Sequence, residues 1–382
     1  MKNILSRHRI SEKNASKIDA WIDSFRSRLS LLEDLPAQEL NPNLLTNVKC
    51  PINEQLLEKC EASFLFQSPI AVHVVGSYVL KCNSRNNDEH FEIDLLLEIP
   101  NSCWQKKDHM NFVYHHKRAF YLAYIAQHLT YCNHLVLGLQ FMCFNGDHLN
   151  PCIHIIPTGK HALNYRFNIF ATASYGKSFV YKTFHPTKCL IQNKALGMNE
   201  EFKSTPYYNQ TILNDLTIIK TNEYIKNIIS DHSNLQDSLI LMRIWLDRRN
   251  LRKSFAHIVT LFACHLLENN LLNPNLSSLQ IFETILSKLK DSDWQSNPLV
   301  LSFNNDNIQS VDKETFINNF PVNLIESSLN YNFCYNLNQG IYERLKIDCH
   351  RTVEILNSKQ VDFDEIFQKT INPTSYFDFS IR

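Results

Sequence analysis

The feature that most constrains the fold of this chain is a short apolar strand that ends in Gly-Ser and precedes a second strand with two acidic residues. Gly76 and Ser77 end the first strand, and Glu92 and Asp94 lie on the second, at residues 91–99. Residues two apart on a strand project to the same face. Two carboxylates placed in this way can hold divalent cations about 3.5–4 Å apart for in-line phosphoryl transfer. Because glycine lets the backbone approach a triphosphate and the serine hydroxyl can bind it, the pattern predicts a phosphoryl-transfer site.

The residues that follow predict the rest of an α+β unit. A long helix is expected at about residues 107–129, where apolar residues recur at helical spacing. Two strands, at residues 136–144 and 152–156, flank Asn145-Gly146, which is a strong hairpin signal. The order strand, turn, strand, helix, strand, strand predicts a mixed sheet with helices packed on it.

The arrangement resembles the nucleotidyltransferase fold of the DNA polymerase β superfamily, in which Gly-Ser is followed by a pair of acids and by a third acid on a later strand. The first acid of that pattern is normally Asp, and here it is Glu92. The candidate strand for the third acid carries His154 where the carboxylate should point, and Asp147 lies in the turn before it. A histidine cannot replace a carboxylate base or bridging metal ligand without changing the charge of the site. Two inexact carboxylates and no third favour a retained fold with a lost reaction.

A closer resemblance covers most of the chain. Residues 74–80, 93–100 and 107–123 resemble domain 1 of the nucleolar RNA-associated protein family (Nrap, also called nucleolar protein 6). Residues 205–209 and the helix around Trp245 resemble the family's second domain, which is similar to the helical domain of poly(A) polymerases and oligoadenylate synthetases. The resemblance extends from about residue 60 to the C-terminus. Family members are far longer and contain two such modules in tandem.

The expected fold class is therefore α+β, with a nucleotidyltransferase-like mixed sheet and helices followed by an all-α helical domain. We expect an N-terminal helix and linker at residues 1–60, the nucleotidyltransferase-like domain at 61–165 and the helical domain at 166–358. Residues 359–382 are expected to start a truncated second nucleotidyltransferase-like module. The stretch 375–382 should be weakly ordered, because its sheet partners are missing. The helices expected from the apolar spacing lie at residues 213–229, 235–250, 255–269, 279–289 and 340–356.

The family resemblance implies a non-catalytic scaffold of the small-subunit processome. It would act in nucleolar processing of pre-ribosomal RNA and small ribosomal subunit biogenesis, and the family has been linked to tRNA export. The implied partners are pre-ribosomal RNA, small nucleolar ribonucleoprotein and processome proteins, among them an RNA-binding protein and casein kinase 2. Gly76, Ser77, Glu92 and Asp94 would form a degenerate site, with no cofactor and no metal ion.

Any contact with RNA must come from a local patch, because 38 Lys and Arg residues balance 38 Asp and Glu residues. The candidate patch surrounds the start of the long helix and comprises Lys106, Lys107, His115, His116, Lys117 and Arg118. The alternative is that Lys117 and Arg118 support helix packing. A second basic cluster, with the same alternative of a solvated face, comprises Arg243, Arg248, Arg249, Arg252 and Lys253.

Other classes of protein are disfavoured by the composition. The seven glycines include no GxGxxG, so the dinucleotide-binding fingerprint is absent. Eleven cysteines without a CxxC pair indicate free thiols in a reducing compartment, and no apolar run is long enough to cross a bilayer. Two alternatives to the scaffold remain. One is an active Mg²⁺-dependent nucleotidyltransferase that adds nucleotides to RNA ends, and the other is a protein-binding adaptor without RNA contact.

Overall fold

The structure is a computed structural model, and the N-terminal segment, two domains and their junction can be described from it. The described residues are 2–40, 48, 50, 51, 57, 60, 62–159, 164–174, 179–192, 203–303 and 311–371. The expected weak order of residues 375–382 concerns a segment outside this set.

Ten strands and ten α-helices lie within the described residues. The strands are β1 (Leu35–Glu39), β2 (Ser63–Phe66), β3 (Ala71–Val75), β4 (Phe91–Ile99), β5 (Val136–Cys143), β6 (Pro151–Pro157), β7 (Tyr165–Ala173), β8 (Leu299–Leu301), β9 (Leu324–Glu326) and β10 (Tyr331–Asn332). The helices are α1 (Lys2–His8), α2 (Glu12–Leu29), α3 (Val113–Leu129), α4 (Pro206–Ile229), α5 (Ser233–Arg248), α6 (Arg252–Glu268), α7 (Ser278–Lys290), α8 (Lys313–Asn319), α9 (Gln339–Leu356) and α10 (Phe363–Phe367).

A five-stranded mixed sheet forms the first domain, in the order β3-β4-β7-β6-β5. β4 pairs antiparallel with β3 and parallel with β7, and the remaining pairs are antiparallel. Along β4 the odd-numbered residues from Phe91 to Ile99 are buried in the main core. The even-numbered residues Glu92 and Asp94 share the opposite face, as the period of two in a strand requires. The mixed sheet predicted from the sequence is confirmed.

Strand β7 is the main element that the sequence analysis did not identify. It pairs with β4 along its whole length, from Phe91↔Tyr165 to Ile99↔Ala173. The sheet therefore continues past residue 165, where we expected the first domain to end. β7 is buried on both faces, and its sequence alternates apolar residues with Arg166, Asn168 and Thr172, which is the period-two pattern typical of a strand. The sequence analysis missed this pattern, which lies at the boundary that it placed between the two domains.

The long helix of the first domain starts later than its sequence pattern predicts. α3 begins at Val113, and the predicted first residues, from 107 onward, form a loop. Asn111 and Phe112 have left-handed backbone angles, with φ of 52° and 65°. The backbone N–H of Phe112 donates to the hydroxyl of Tyr208 (3.0 Å), so a contact with the second domain holds this turn.

The five helices predicted for the second domain correspond to α4–α7 and α9. α4 starts seven residues earlier than predicted, with Pro206 in its first turn, where the missing N–H of proline costs nothing. A small three-stranded sheet, β8–β10, lies among the helices and was not predicted. None of the described helices combines the length and the hydropathy that a bilayer-spanning segment requires.

The two ends of the described chain pack on these domains. On the N-terminal side, the ring of Trp21 in α2 stacks on Phe167 of β7, with 3.7 Å between ring centroids. On the C-terminal side, Phe367 of α10 lies 5.3 Å from Phe282 of α7, again between centroids. Residues 359–371, expected as the start of a second module, thus extend the helical domain. All eleven cysteines are free thiols.

Candidate functional site

The Gly-Ser turn lies directly against the second acid of β4. Val75, the last residue of β3, pairs with Asp94, so the chain passes beside the Asp94 carboxylate as it leaves the strand. Gly76 has φ of +70°, and a Cβ atom added there would lie 2.7 Å from Oδ2 of Asp94. The structure therefore brings Gly76 and Asp94 together as the sequence predicts, and Ser77 follows as a buried residue of the same turn.

The amide of Gly76 is already bound by the second domain. Its N–H donates to Oδ1 of Asn222 on α4, at 2.9 Å. A phosphate that used this amide would have to displace the Asn222 side chain. The sequence analysis did not identify Asn222, because nothing in a local pattern places this helix over the turn.

The residues beside Glu92 and Asp94 are set by the register of β7. Parallel pairing places Arg166 next to Glu92 and Asn168 next to Asp94. Glu92 also accepts a hydrogen bond from the Asn86 side chain, at 3.2 Å. The two acids thus share one face, as predicted, and each has polar neighbours.

The position nearest Asp94 on the neighbouring strand holds an amide. Nδ2 of Asn168 donates to Oδ1 of Asp94 (2.9 Å), and Nδ1 of His154 donates to Oδ1 of Asn168 (2.8 Å). A hydrogen-bonded row of Asp94, Asn168 and His154 therefore crosses three strands. The sequence analysis gave the third position to His154 alone and missed Asn168, because it missed β7. Asp147, the other carboxylate considered, accepts from the backbone N–H of Leu149 in its own turn (2.8 Å).

These residues do not fit a pair of divalent cations. Mg²⁺ takes oxygen ligands, and a two-metal site needs carboxylates to balance the charge of the ions. Asn168 and His154 bring no negative charge to the positions next to Asp94. Within the described part of the chain, no group of three or more His, Cys, Asp or Glu side chains could hold a metal ion.

The environment of Asp94 also favours the protonated form of its carboxyl. Burial raises the pKa of its carboxyl to about 6, and the hydrogen bond from Asn168 acts in the opposite direction. The negative charge of Glu92 adds to the rise, whereas Arg243 and Arg252 of the second domain oppose it. A carboxyl with a raised pKa is a poorer metal ligand, because a proton competes with the ion for it.

Replacement of Gly76 by alanine tests the close approach to Asp94. We expect a loss of about 2–3 kcal/mol in the free energy of unfolding, because the left-handed backbone costs about 1–2 kcal/mol and the new methyl group displaces the carboxylate. Gly159→Ala is the matched control, since Gly159 has φ of +74° and no atom within 4 Å of the added Cβ. Denaturant unfolding of both variants should show the larger loss for Gly76→Ala, and equal losses would contradict the contact.

The basic patch predicted at the start of α3 is largely buried. His115, His116, Lys117 and Arg118 are only 3%, 5%, 4% and 2% exposed. Burial lowers the pKa of His115 well below its usual value and that of His116 to about 4, so both rings are neutral near pH 7. These four residues are therefore wrong as RNA-binding candidates, and the alternative that Lys117 and Arg118 support helix packing holds. Lys106 and Lys107 remain exposed, in the loop before α3.

The buried cations of α3 each have a specific partner. Nζ of Lys117 lies 2.6 Å from Oδ2 of Asp108. Arg118 forms an ion pair with Asp215 of α4, and the Tyr114 hydroxyl donates to the same carboxylate (3.2 Å). The physical reason is that Tyr114 and Arg118 of α3 meet Asp215 of α4 in a buried position, where polar side chains have to satisfy one another.

The second basic cluster also holds the two domains together. Arg252 donates to the backbone carbonyls of Ser84 (2.9 Å) and Arg85 (3.0 Å), in the loop before β4. Arg248 donates to Oδ1 of Asn87 in the same loop, at 2.9 Å. Arg249 is buried and stacks on the Trp245 ring, with its guanidinium carbon 4.4 Å from the centroid. These three arginines are therefore structural, whereas Lys253 is exposed.

Comparison with family models matches nearly all of the chain. Residues 34–231 match the model described as Nrap protein domain 1. Residues 234–370 match the model described as the Nrap protein PAP/OAS-like domain. The two matches meet between α4 and α5, so the family model of domain 1 extends past the boundary that we expected at residue 165 and includes α4, which our own division places in the helical domain.

Curated relatives are also similar to this chain over nearly its whole length. Nucleolar protein 6 of Xenopus tropicalis is 26% identical over 375 residues, which are 95% of this chain and 32% of the relative. Nucleolar protein 6 of Drosophila mojavensis is 26% identical over 382 residues, which are 97% of this chain and 30% of the relative. The chain thus spans about a third of the length of the curated relatives it matches.

Solved structures show the same fold at low sequence identity. The MgGTP-bound crystal structure of the Cid1 poly(U) polymerase aligns over 96% of this chain and 97% of its own, with a TM-score of 0.55 and 9% identity. The complex of Cid1 with the UTP analogue UMPNPP gives a TM-score of 0.52 and 11% identity. This likeness confirms the predicted combination of a nucleotidyltransferase-like sheet and a helical domain.

Proposed function

Because this chain belongs to the Nrap family, we propose that it is a non-catalytic, RNA-associated scaffold that acts in nucleolar processing of pre-ribosomal RNA. The curated relatives are named nucleolar proteins, which supports the nucleolus as its location. We extend the proposal to the small-subunit processome, with pre-ribosomal RNA, small nucleolar ribonucleoprotein, an RNA-binding protein and casein kinase 2 as partners. The family assignment supports this wider role.

The observation that carries the non-catalytic part of the proposal is the hydrogen-bonded row beside Asp94. An enzyme of this fold needs a carboxylate where the row has an amide and an imidazole. Restoring metal binding there would require a change of both charge and hydrogen bonding. The hydrogen bond from the Gly76 amide to Asn222 supports the same conclusion, because the amide that would bind a triphosphate already has a partner.

The junction between the domains supports a role in assembly. Side chains from α4, α5 and α6 bind the Gly76 turn, the loop before β4 and the cations of α3. Several of these contacts are buried ion pairs or hydrogen bonds to backbone groups, which are costly to break. The two domains therefore present one fixed surface, which suits a scaffold better than a cleft that must open and close around substrates.

An active, Mg²⁺-dependent nucleotidyltransferase is the second candidate, favoured by the contact between Gly76 and Asp94. An assay of the purified chain distinguishes the two. With Mg²⁺ or Mn²⁺ and each of the four labelled nucleoside triphosphates in turn, we expect no incorporation of nucleotide into an RNA primer. The natural chain and Asp94→Asn should not differ. Incorporation that Asp94→Asn abolishes would overturn the non-catalytic proposal.

A further inference from the structure

We infer that five exposed lysines on three adjoining loops form a binding surface for single-stranded RNA. This lysine surface comprises Lys106, Lys107, Lys182, Lys188 and Lys203. The inference rests on the RNA association proposed above and assigns that association to a particular surface of the protein. Only Lys106 and Lys107 belong to the patch that the sequence predicts, and the other three come from segments 75 or more residues further along the chain.

The three loops are held together by contacts between their backbones and rings. The N–H of Asn111 donates to the carbonyl of Leu190 (3.0 Å), which joins the loop before α3 to the segment after β7. The rings of His109 and Phe184 lie 5.9 Å apart, between centroids. The N–H of Thr205 donates to the carbonyl of Lys188 (3.0 Å), which joins that segment to the start of α4. Each lysine of the surface lies within two or three residues of one of these contacts.

Among the residues that the structure describes, little negative charge balances the lysine surface. None of the five side chains forms a hydrogen bond or ion pair within the described residues, in contrast to Lys117, which is paired with Asp108. Asp108, the acid that follows Lys107, is buried by that pair. The carboxylate of Asp312, near His185 at the edge of the surface, accepts from the N–H of Thr315 at the start of α8. Clustered like charges repel, so this arrangement favours an anionic partner.

An exposed aromatic ring beside the lysines favours a single-stranded nucleic acid. Tyr207, in the first turn of α4 and four residues after Lys203, is 50% exposed. Its ring packs edge-to-face on Phe320, with 5.2 Å between centroids, which fixes its orientation. Unstacked bases bind such rings, and cationic side chains track the backbone between them. An acidic peptide would use the lysines but would gain nothing from the ring.

Binding of the full 382-residue chain to a short oligoadenylate, measured against salt concentration, tests the inference. We expect replacement of all five lysines by glutamine to weaken binding at least about tenfold at low salt. The slope of log Kd against log salt should fall by about 3.5, since each of the five phosphate contacts to a single strand contributes about 0.7. Tyr207→Ala should weaken binding several-fold, whereas Tyr207→Phe should not.

A matched control separates the surface from net charge. Glutamine replaces five other exposed lysines, which removes the same charge from different elements: Lys13, Lys17, Lys226, Lys288 and Lys359. We expect this variant to bind oligoadenylate nearly as the natural chain does. All ten lysines are exposed, so both variants should unfold at the same denaturant concentration as the natural chain.

The possible outcomes are distinct. Equal weakening in the two five-lysine variants would overturn the lysine surface but leave the proposed RNA association standing. No binding of the natural chain to RNA would overturn both. If polyglutamate displaces oligoadenylate equally well and Tyr207→Ala has no effect, the surface binds a protein partner and the assignment to RNA is wrong.

Discussion

Replacement of Asp215 by alanine is expected to lower the free energy of unfolding by about 3–5 kcal/mol. The carboxylate of Asp215 is the counter-ion of Arg118 and also accepts from the Tyr114 hydroxyl. The side chains of Arg118 and Asp215 are only 2% and 3% exposed, so water cannot replace the lost partner. The guanidinium of Arg118 would keep its hydrogen bond to the backbone carbonyl of Leu149, but this neutral group does not neutralise the positive charge. Denaturant unfolding followed by circular dichroism measures the loss.

The matched control for this variant is Asp23→Ala. Asp23 forms an ion pair with Arg26 at the surface of α2 (3.2 Å), where the two side chains are 71% and 45% exposed. Exposed pairs of this kind contribute about 0.2–1 kcal/mol. A loss at Asp215 no larger than the loss at Asp23 would show that the junction between α3 and α4 admits water.

A double variant separates charge from packing at the same site. Arg118→Met with Asp215→Leu removes both charges and keeps most of the volume. We expect it to recover much of the stability lost in Asp215→Ala, because well-packed apolar residues often replace a buried ion pair at little cost. If the double variant is as unstable as the single one, the loss comes from packing or from the Tyr114 hydrogen bond.

Replacement of Trp245 by alanine is the second change with a large expected effect, about 3–5 kcal/mol. Trp245 is fully buried in α5, and its indole N–H donates to Oγ1 of Thr352 on α9 (2.9 Å). The ring also supports the guanidinium of Arg249, which donates to the carbonyls of Trp245 and Ile366. The alanine variant leaves a cavity and removes the surface on which a buried cation rests.

Trp245→Phe is the control for the polar part of this contact. Phenylalanine keeps an apolar ring and loses the hydrogen bond to Thr352, so we expect a loss of about 1–2 kcal/mol. Circular dichroism suits the measurement, because these substitutions alter tryptophan fluorescence. Similar losses for the two variants would mean that the hydrogen bond, and not the volume of the ring, determines the stability of this region.

The parts of the site that lie within one short segment were predictable from the sequence. Gly76 next to the end of β3, and Glu92 and Asp94 on one face of β4, follow from strand periodicity and from the special backbone of glycine. The helices of the second domain followed from apolar spacing, although α4 begins seven residues before its predicted start. Local patterns carried this information because each depends on residues a few positions apart.

The parts that depend on neighbours distant in the chain were not predictable. Asn168 lies beside Asp94 only because β7 pairs with β4 in this register. The alternation of apolar and polar residues in β7 is typical of a strand, but it does not say which strand it pairs with. Asn222 reaches Gly76 only because α4 packs over the sheet. Lys117 and Arg118 look like a basic patch in the sequence, and their acids, Asp108 and Asp215, make them structural.

The sequence by itself determined the class of fold, the Gly-Ser turn with its two acids, and the membership of a family, because these depend on patterns along the chain. The tertiary structure alone decided what stands beside those acids and which cations are free to bind. The physical reason is that burial and pairing set the charge of a side chain and its availability, and both depend on contacts between residues far apart in sequence. Basic residues that are adjacent in the sequence can thus be buried and paired at a domain junction, while lysines that are distant in the sequence lie on one surface.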